Sequence, residues 1–342
     1  MRALLVGGTG RISTSVTYEL LKQGWDVSAL NRGGKNTILP ERVTKIVANI
    51  NDEATVSAML ANQNYDVIVQ FISFKPNNIE RDARLFKNKS KQYIFISSAS
   101  VYSKTQDSYI LNENSAVGNP FWKYAQEKLE CERLLKAAYN NYEVPLTIVR
   151  PSHIYNDSYV PVGFHGYNGS WQVLKRMLDG KPVIVHGDGT SLWTITHAVD
   201  FAKGLVGIMG NSNAIGETFN IVSDEAFTWN QMYQMIADAL GVELKTYNVP
   251  SEMLSCLSPD SKDLRGRLTG DKSNCMVFDN SKIKNFVPGF KTSIPFAEGV
   301  KETIENILAN PEYQRADEHF DYFCDRLISA CEDLKNNFNK NI

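Results

Sequence analysis

Short apolar runs and amphipathic stretches alternate along the first half of the chain. The runs fall at 3–6, 26–30, 43–47, 67–72, 93–96 and 146–149, and the amphipathic stretches at 15–23, 54–62, 79–86 and 122–139. Continuous apolar runs, rather than strict alternation, mark strands covered on both faces. Strand and helix in turn then predict a parallel, doubly wound sheet with right-handed crossovers.

After Arg150-Pro151 the pattern loosens. Gly, Tyr, Asn and Pro crowd 152–191 around a short helix at 171–178. A strand at 183–186, a helix near 199–209 and a strand at 217–222 follow. A helix at 229–240, a strand at 244–249 and a loop-rich stretch come next, and two helices at about 294–310 and 311–336 close the sequence. The expected class is α/β: a Rossmann-type domain over 1–150, then a smaller, mixed α/β substrate-binding region over 151–342, interleaved with remaining elements of the sheet.

Composition narrows the function. A chain of 342 residues, 43% hydrophobic and 22% charged, can bury a full core, and a net charge of −2 supplies no field toward nucleic acid or acidic membrane. The five cysteines form no CxxC pair and read as reduced thiols. The five histidines lack metal-ligand spacing, so no metal is expected. The apolar start at 3–6 is too short for a signal peptide and no 18-residue apolar run follows, which predicts a cytoplasmic protein.

Gly7, Gly8 and Gly10 stand directly between the first strand and the first helix. There the backbone must turn sharply and admit a pyrophosphate, which the helix N-terminus then holds. Gly7, Gly10, Arg11 and Ile12 are the expected contacts. Ser13 replaces the third glycine and is expected to loosen helix–strand packing slightly. The second strand ends Asn31-Arg32 with no carboxylate for a free ribose 2′-hydroxyl. Arg32 suits a 2′-phosphate, so NADP is the expected cofactor, with NAD the alternative; a solvated loop cation is the competing account of Arg32.

Tyr124-Ala-Gln-Glu-Lys128 puts a phenol and an ammonium one helical turn apart. The ammonium lowers the phenol's pKa, and the phenol exchanges a proton with a substrate oxygen while hydride moves. Tyr18 and Lys22 have the same spacing but lie far along the first helix, where a plain surface explains them. A hydroxyl after the fifth strand, within Ser97-Ser98-Ala99-Ser100, would face the same crevice, although a turn or helix cap also uses serine there.

These pieces resemble an extended short-chain dehydrogenase/reductase of the NAD-dependent epimerase/dehydratase family. The resemblance rests on Gly7 to Ser13, Ser97 to Tyr102, Tyr124 with Lys128, and Arg150-Pro151-Ser152-His153-Ile154-Tyr155. Phe219-Asn220-Ile221 and Phe278-Asp279-Asn280-Ser281-Lys282 extend it over nearly the whole chain. It implies that Ser98, Tyr124 and Lys128 are catalytic, that Ser100 meets substrate, and that Pro151 and Ser152 lie by the nicotinamide; apart from the resemblance, the Lys128 ammonium can hydrogen-bond the nicotinamide ribose of the cofactor, and His153 is a candidate substrate contact. Ala99 and Ser100 stand where the family's 4,6-dehydratases carry Asp-Glu, which disfavours dehydration by that route. Epimerisation or carbonyl reduction remains, with a nucleotide sugar as the expected small-molecule substrate.

The rival reading is a non-catalytic dinucleotide-binding regulatory or RNA-binding protein, as in an atypical branch of the family that tends to lose the tyrosine. Tyr124 and Lys128 argue for an enzyme. His153, Tyr155, His165, Trp193, His197, Arg265 and Arg267 are candidates for the pocket wall. Arg267 is placed on the substrate, where it and Arg265 could pair a diphosphate, though surface or packing roles explain these residues equally well. The late helices leave a homodimer open.

Overall fold

A computed structural model describes residues 1–340 apart from 36–37, 106–107, 142–143 and 259–260. The chain forms two compact units. The first comprises 1–154, 194–225 and 276–293; the second comprises 155–193, 226–275 and 294–342.

The first unit is organised by strands β1 (Arg2–Val6), β2 (Asp26–Asn31), β3 (Thr44–Val47), β4 (Tyr65–Gln70), β5 (Ser90–Ile96), β6 (Ile110–Leu111) and β7 (Leu146–Val149). The main sheet runs β3-β2-β1-β4-β5-β7 and ends on the short strand Thr218–Phe219, with parallel pairing throughout. The short β6 pairs separately with Val277–Phe278.

Helices α1 (Ser13–Lys22), α2 (Glu53–Leu60), α3 (Pro76–Phe86) and α4 (Lys123–Asn140) supply the crossovers together with helix Ala198–Ile208. Ala3, Leu5, Val27, Ala29, Val67 and Val69 pack with Val16 and Leu20 of α1 and with Phe201 and Leu205. Their strand neighbours Leu4, Val6, Leu30, Ile68 and Phe95 pack on the other side with Val56, Leu60, Ile79 and Leu135. Two covered faces are why the runs are continuously apolar, each buried large side chain contributing about 1.5–3 kcal/mol. Strand order reverses between β1 and β4, so a crevice opens at the carboxyl ends of these strands.

In the second unit Val183–His186 pairs in parallel with Thr246–Val249. Helix Trp229–Leu240 begins in a Thr228/Gln231 capping box and ends at Gly241, whose φ of +70° suits a residue without Cβ. Buried Arg176 ties helix Trp171–Leu178 to helix Glu318–Asn339 through Asp321 at 2.7 Å and Asp325 at 2.8 Å.

Two expectations are corrected. The last helix does not begin at 311: Pro311–Tyr313 is a single 3₁₀ turn, and the helix starts at Glu318, capped by Asp317. The strand expected over 217–222 pairs with β7 over Thr218–Phe219 alone among the described residues. Among the described residues no helix is long and apolar enough to cross a membrane, and no cluster of His, Cys, Asp and Glu could hold a metal.

Candidate functional site

The glycine loop turns the chain from β1 into α1. Gly7 has φ +89°, and a Cβ there would lie 2.4 Å from Ile72 Cγ2. At Gly8 a Cβ would reach Ala29 Cβ at 2.9 Å. Gly10 differs: its added Cβ would meet Ser13 Oγ at 3.3 Å as its nearest neighbour, so its exposed face is open to a ligand. Ser13 is a correction to the expected looseness. It is buried, its Oγ donates to Gly7 O at 2.7 Å and accepts from Gly10 N at 2.8 Å, and it locks the loop.

At the end of β2, Asn31 is buried beside Thr9, and its Nδ2 has no hydrogen-bond partner among the described residues. Arg32 follows, exposed; Arg11 and Ile12 open α1. A buried unpaired amide costs about 1–3 kcal/mol unless something satisfies it. The orphaned donor, the open face of Gly10 and the α1 N-terminus together fit a dinucleotide.

The second half of the site lies past β4 and β5. The α4 stripe Ala125, Lys128, Leu129, Glu132 and Leu135 is buried, which fixes the rotation of the helix and carries Tyr124 on its first turn. Asn119 sets the approach to α4: its Nδ2 donates to Ser100 O at 2.9 Å and its Oδ1 accepts from Phe121 N at 3.1 Å. Tyr124 is half-buried beside the rings of Trp122, 4.8 Å away, and Phe74, 6.4 Å away.

Lys128 Nζ donates to Ser73 O and Ile96 O, each at 2.8 Å, between the rings of Phe74 and Phe95. Burial pushes its pKa down to about 7, against the upward pull of Cys131, Glu132 and Asp82. Ser98 is half-buried, its Oγ 2.9 Å from Ser100 Oγ and accepting from Ser100 N at 3.2 Å. It therefore caps the turn Ala99–Val101 as well as presenting a hydroxyl. Pro151 O accepts from Ala99 N at 2.9 Å, which joins the residues after β7 to that turn.

Sequence reasoning missed Ser73, Phe74, Trp122 and Asn119. Trp122 alone gave a signal, as a large aromatic directly before the Tyr124 turn. Of the residues named for the pocket wall, His197 caps helix Ala198–Ile208 through Val199 N at 3.2 Å, and His153 is half-buried.

In the second unit, Trp193 is buried and bonded to Lys272 O, and Tyr155 packs edge-on against Phe296. Arg265 pairs with Glu252 at 2.8 Å and Arg267 with Asp263 at 3.2 Å. Arg267 and His165 do line a cavity of about 280 Å³ within that unit, floored by Phe164, Phe320 and Phe323.

The profile of the NAD dependent epimerase/dehydratase family matches residues 3–222. The chain is 21% identical to 2'-dehydrokanamycin reductase of Streptomyces kanamyceticus over 85% of its length and 80% of that protein's. It is 27% identical to the chloroplast stem-loop binding protein of 41 kDa b of Arabidopsis thaliana, over 72% of the chain and 66% of that protein. Its fold is similar to that of UDP-glucuronic acid 4-epimerase from Bacillus cereus, solved with NAD: TM-score 0.70, 20% identity, 90% of this chain and 99% of that one covered. The chain is therefore an enzyme of the NAD-dependent epimerase/dehydratase family, of the extended short-chain dehydrogenase/reductase type.

Proposed function

We propose that this enzyme oxidises or reduces a hydroxyl/ketone carbon of a nucleotide-linked sugar, as an epimerase or a reductase, with Tyr124, Lys128 and Ser98 as its proton-handling residues. The carrying observation is Lys128: a buried ammonium one turn after Tyr124, held by the carbonyls of Ser73 and Ile96 just past β4 and at the end of β5. Gly7, Gly10, Arg11, Ile12, Asn31 and Pro151 would hold the dinucleotide, with Lys128 on its nicotinamide ribose. Bound NAD(P) supplies the acceptor or donor of hydride. Tyr124 takes the proton of the substrate hydroxyl as a phenolate, or gives its phenol proton to the ketone oxygen, Lys128 stabilises the phenolate, and Ser98 donates a hydrogen bond to the same oxygen. Exposed Arg32 supports NADP over NAD.

Support for the nucleotide comes from the family and from the UDP-sugar named for the B. cereus neighbour. Ser100 and His153, both in the first unit, would be contacts for that substrate. The test is titration with NADP(H) and NAD(H), then a screen of UDP- and dTDP-sugars beside unlinked ketosugars. Tyr124→Phe should lower turnover about 10²–10⁴-fold with cofactor affinity kept; undiminished turnover overturns the assignment. The similarity to a stem-loop binding protein favours a second reading, binding without turnover, for which salt-dependent affinity for RNA is the required observation.

A further inference from the structure

The carbonyl that accepts the Lys128 ammonium belongs to a residue anchored in a second, fully buried layer. Ser73 Oγ donates to Asp82 Oδ2 at 2.6 Å and accepts from Arg81 Nη2 at 2.9 Å. Asp82 Oδ2 also takes hydrogen bonds from Gln70 Nε2 at 2.8 Å and Tyr93 OH at 3.0 Å. Its Oδ1 takes Arg81 Nε at 3.0 Å and Nη2 at 2.7 Å. Arg81 Nη1 reaches Asn51 Oδ1 at 2.7 Å. Ser73, Arg81 and Asp82 are all buried.

Gln70, Ser73, Tyr93 and Arg81 all donate to Asp82, an arrangement that suits the ionised carboxylate. A buried ion pair adds little net stability over well-packed apolar side chains, so stability alone is a weak reason for charge here. The loop 71–75 is also pinned at its other end, where Asn78 Oδ1 accepts from Phe74 N at 3.0 Å and Lys75 N at 3.1 Å. Ser73 O carries the hydrogen bond that joins this layer to Lys128.

We infer that Asp82, acting through Ser73, is a positioning residue for Lys128: it fixes the carbonyl on which the ammonium rests and keeps a negative charge behind it. This rests on the reading of Lys128 as the partner of Tyr124. The charged or titratable groups that act on Lys128 are Asp82 from α3 and Cys131 and Glu132 from α4, with Arg81 paired to Asp82 and Arg150 to Glu132. Burial pushes the Cys131 thiol up to about 12, so it is neutral, and Glu132 is taken by Arg150 in two hydrogen bonds. Asp82 keeps one oxygen for neutral donors, and its charge draws the Lys128 pKa upward against burial.

The test reads Lys128 directly. In full-length protein labelled with ¹³Cε-lysine, the Lys128 resonance is identified by its loss in Lys128→Met and titrated in wild type, Asp82→Asn and Ser73→Ala. The expected result is a midpoint lower by about one pH unit in Asp82→Asn and lower by a smaller amount in Ser73→Ala. On a substrate from the screen, kcat should fall with KM little changed. An unmoved midpoint in the folded variants overturns the inference, and if Asp82→Asn does not fold, Ser73→Ala decides it. The titration needs no substrate, so it stands apart from the relay itself, which fails if Lys128→Met keeps full turnover.

Discussion

Ser13 Oγ donates to Gly7 O at 2.7 Å while accepting from Gly10 N at 2.8 Å, so one hydroxyl closes the glycine loop from inside. Ser13→Ala leaves Gly7 O and Gly10 N without that partner, at a cost of about 1–2 kcal/mol. The variant should melt several degrees lower and bind NADPH more weakly, about tenfold for each 1.4 kcal/mol lost from the bound geometry. Thermal melting and fluorescence titration measure the two effects. Unchanged values in both would mean the hydroxyl holds nothing together.

Lys128 gives stability a defined pH dependence. Its pKa in the folded protein lies at about 7, well below the ordinary lysine value of 10.5, with burial as the main cause. Between these values the unfolded chain binds more protons than the native one, so this group's contribution to stability rises with pH from about 7 to 10.5. Below that window both states are charged and the burial penalty is felt in full. Lys128→Met removes the dependence. Its melting temperature relative to wild type should therefore be highest near pH 6 and fall steadily toward pH 10, and a flat difference across the range contradicts a depressed lysine.

The strands of the first unit were legible because both faces of the sheet are covered, which makes Leu4 and Leu5 equally apolar although they point to opposite clusters. The one-turn spacing of Tyr124 and Lys128 was legible for the same kind of reason, since a helix fixes it. The grip on Lys128 was not. It comes from the backbone carbonyls of Ser73 and Ile96, and a carbonyl leaves no mark in a sequence. The Asp82 layer joins a serine, an aspartate and a tyrosine from three different elements, with no period to betray them. Pro311 misled for a local reason: it does open a helical turn, but that turn stops at Tyr313, six residues before His319 in the last helix.

Arg32 carries the cofactor proposal and can be tested alone. It is exposed one residue beyond β2, beside buried Asn31. Arg32→Asp replaces a partner for a 2′-phosphate with an acceptor for a ribose hydroxyl. NADPH affinity should fall at least tenfold, about 1.4 kcal/mol, while NADH affinity holds or improves. Parallel titrations read the ratio, and equal losses for both cofactors would assign Arg32 to the surface instead.

Arg150 and Glu132 join the end of the sheet to α4, with Nε to Oε1 at 2.9 Å and Nη2 to Oε2 at 2.6 Å, both residues buried. The guanidinium also lies 4.8 Å from the Tyr102 ring centre. Burial disfavours the Arg150 charge, but the hydrogen bonds it donates to Glu132 outweigh that and push its pKa higher still, so neutralisation offers no escape. Glu132→Gln strands that charge and should cost about 3–5 kcal/mol, read as a lower urea midpoint at unchanged slope. The double variant Glu132→Leu, Arg150→Met removes both charges from the same space and should recover most of the loss. If it is no more stable than Glu132→Gln, the pair matters for its shape and not for its charges. Because Glu132 sits one turn beyond Lys128 on α4, the single variant should also lower turnover while the double variant, with the helix seated again, restores it in part.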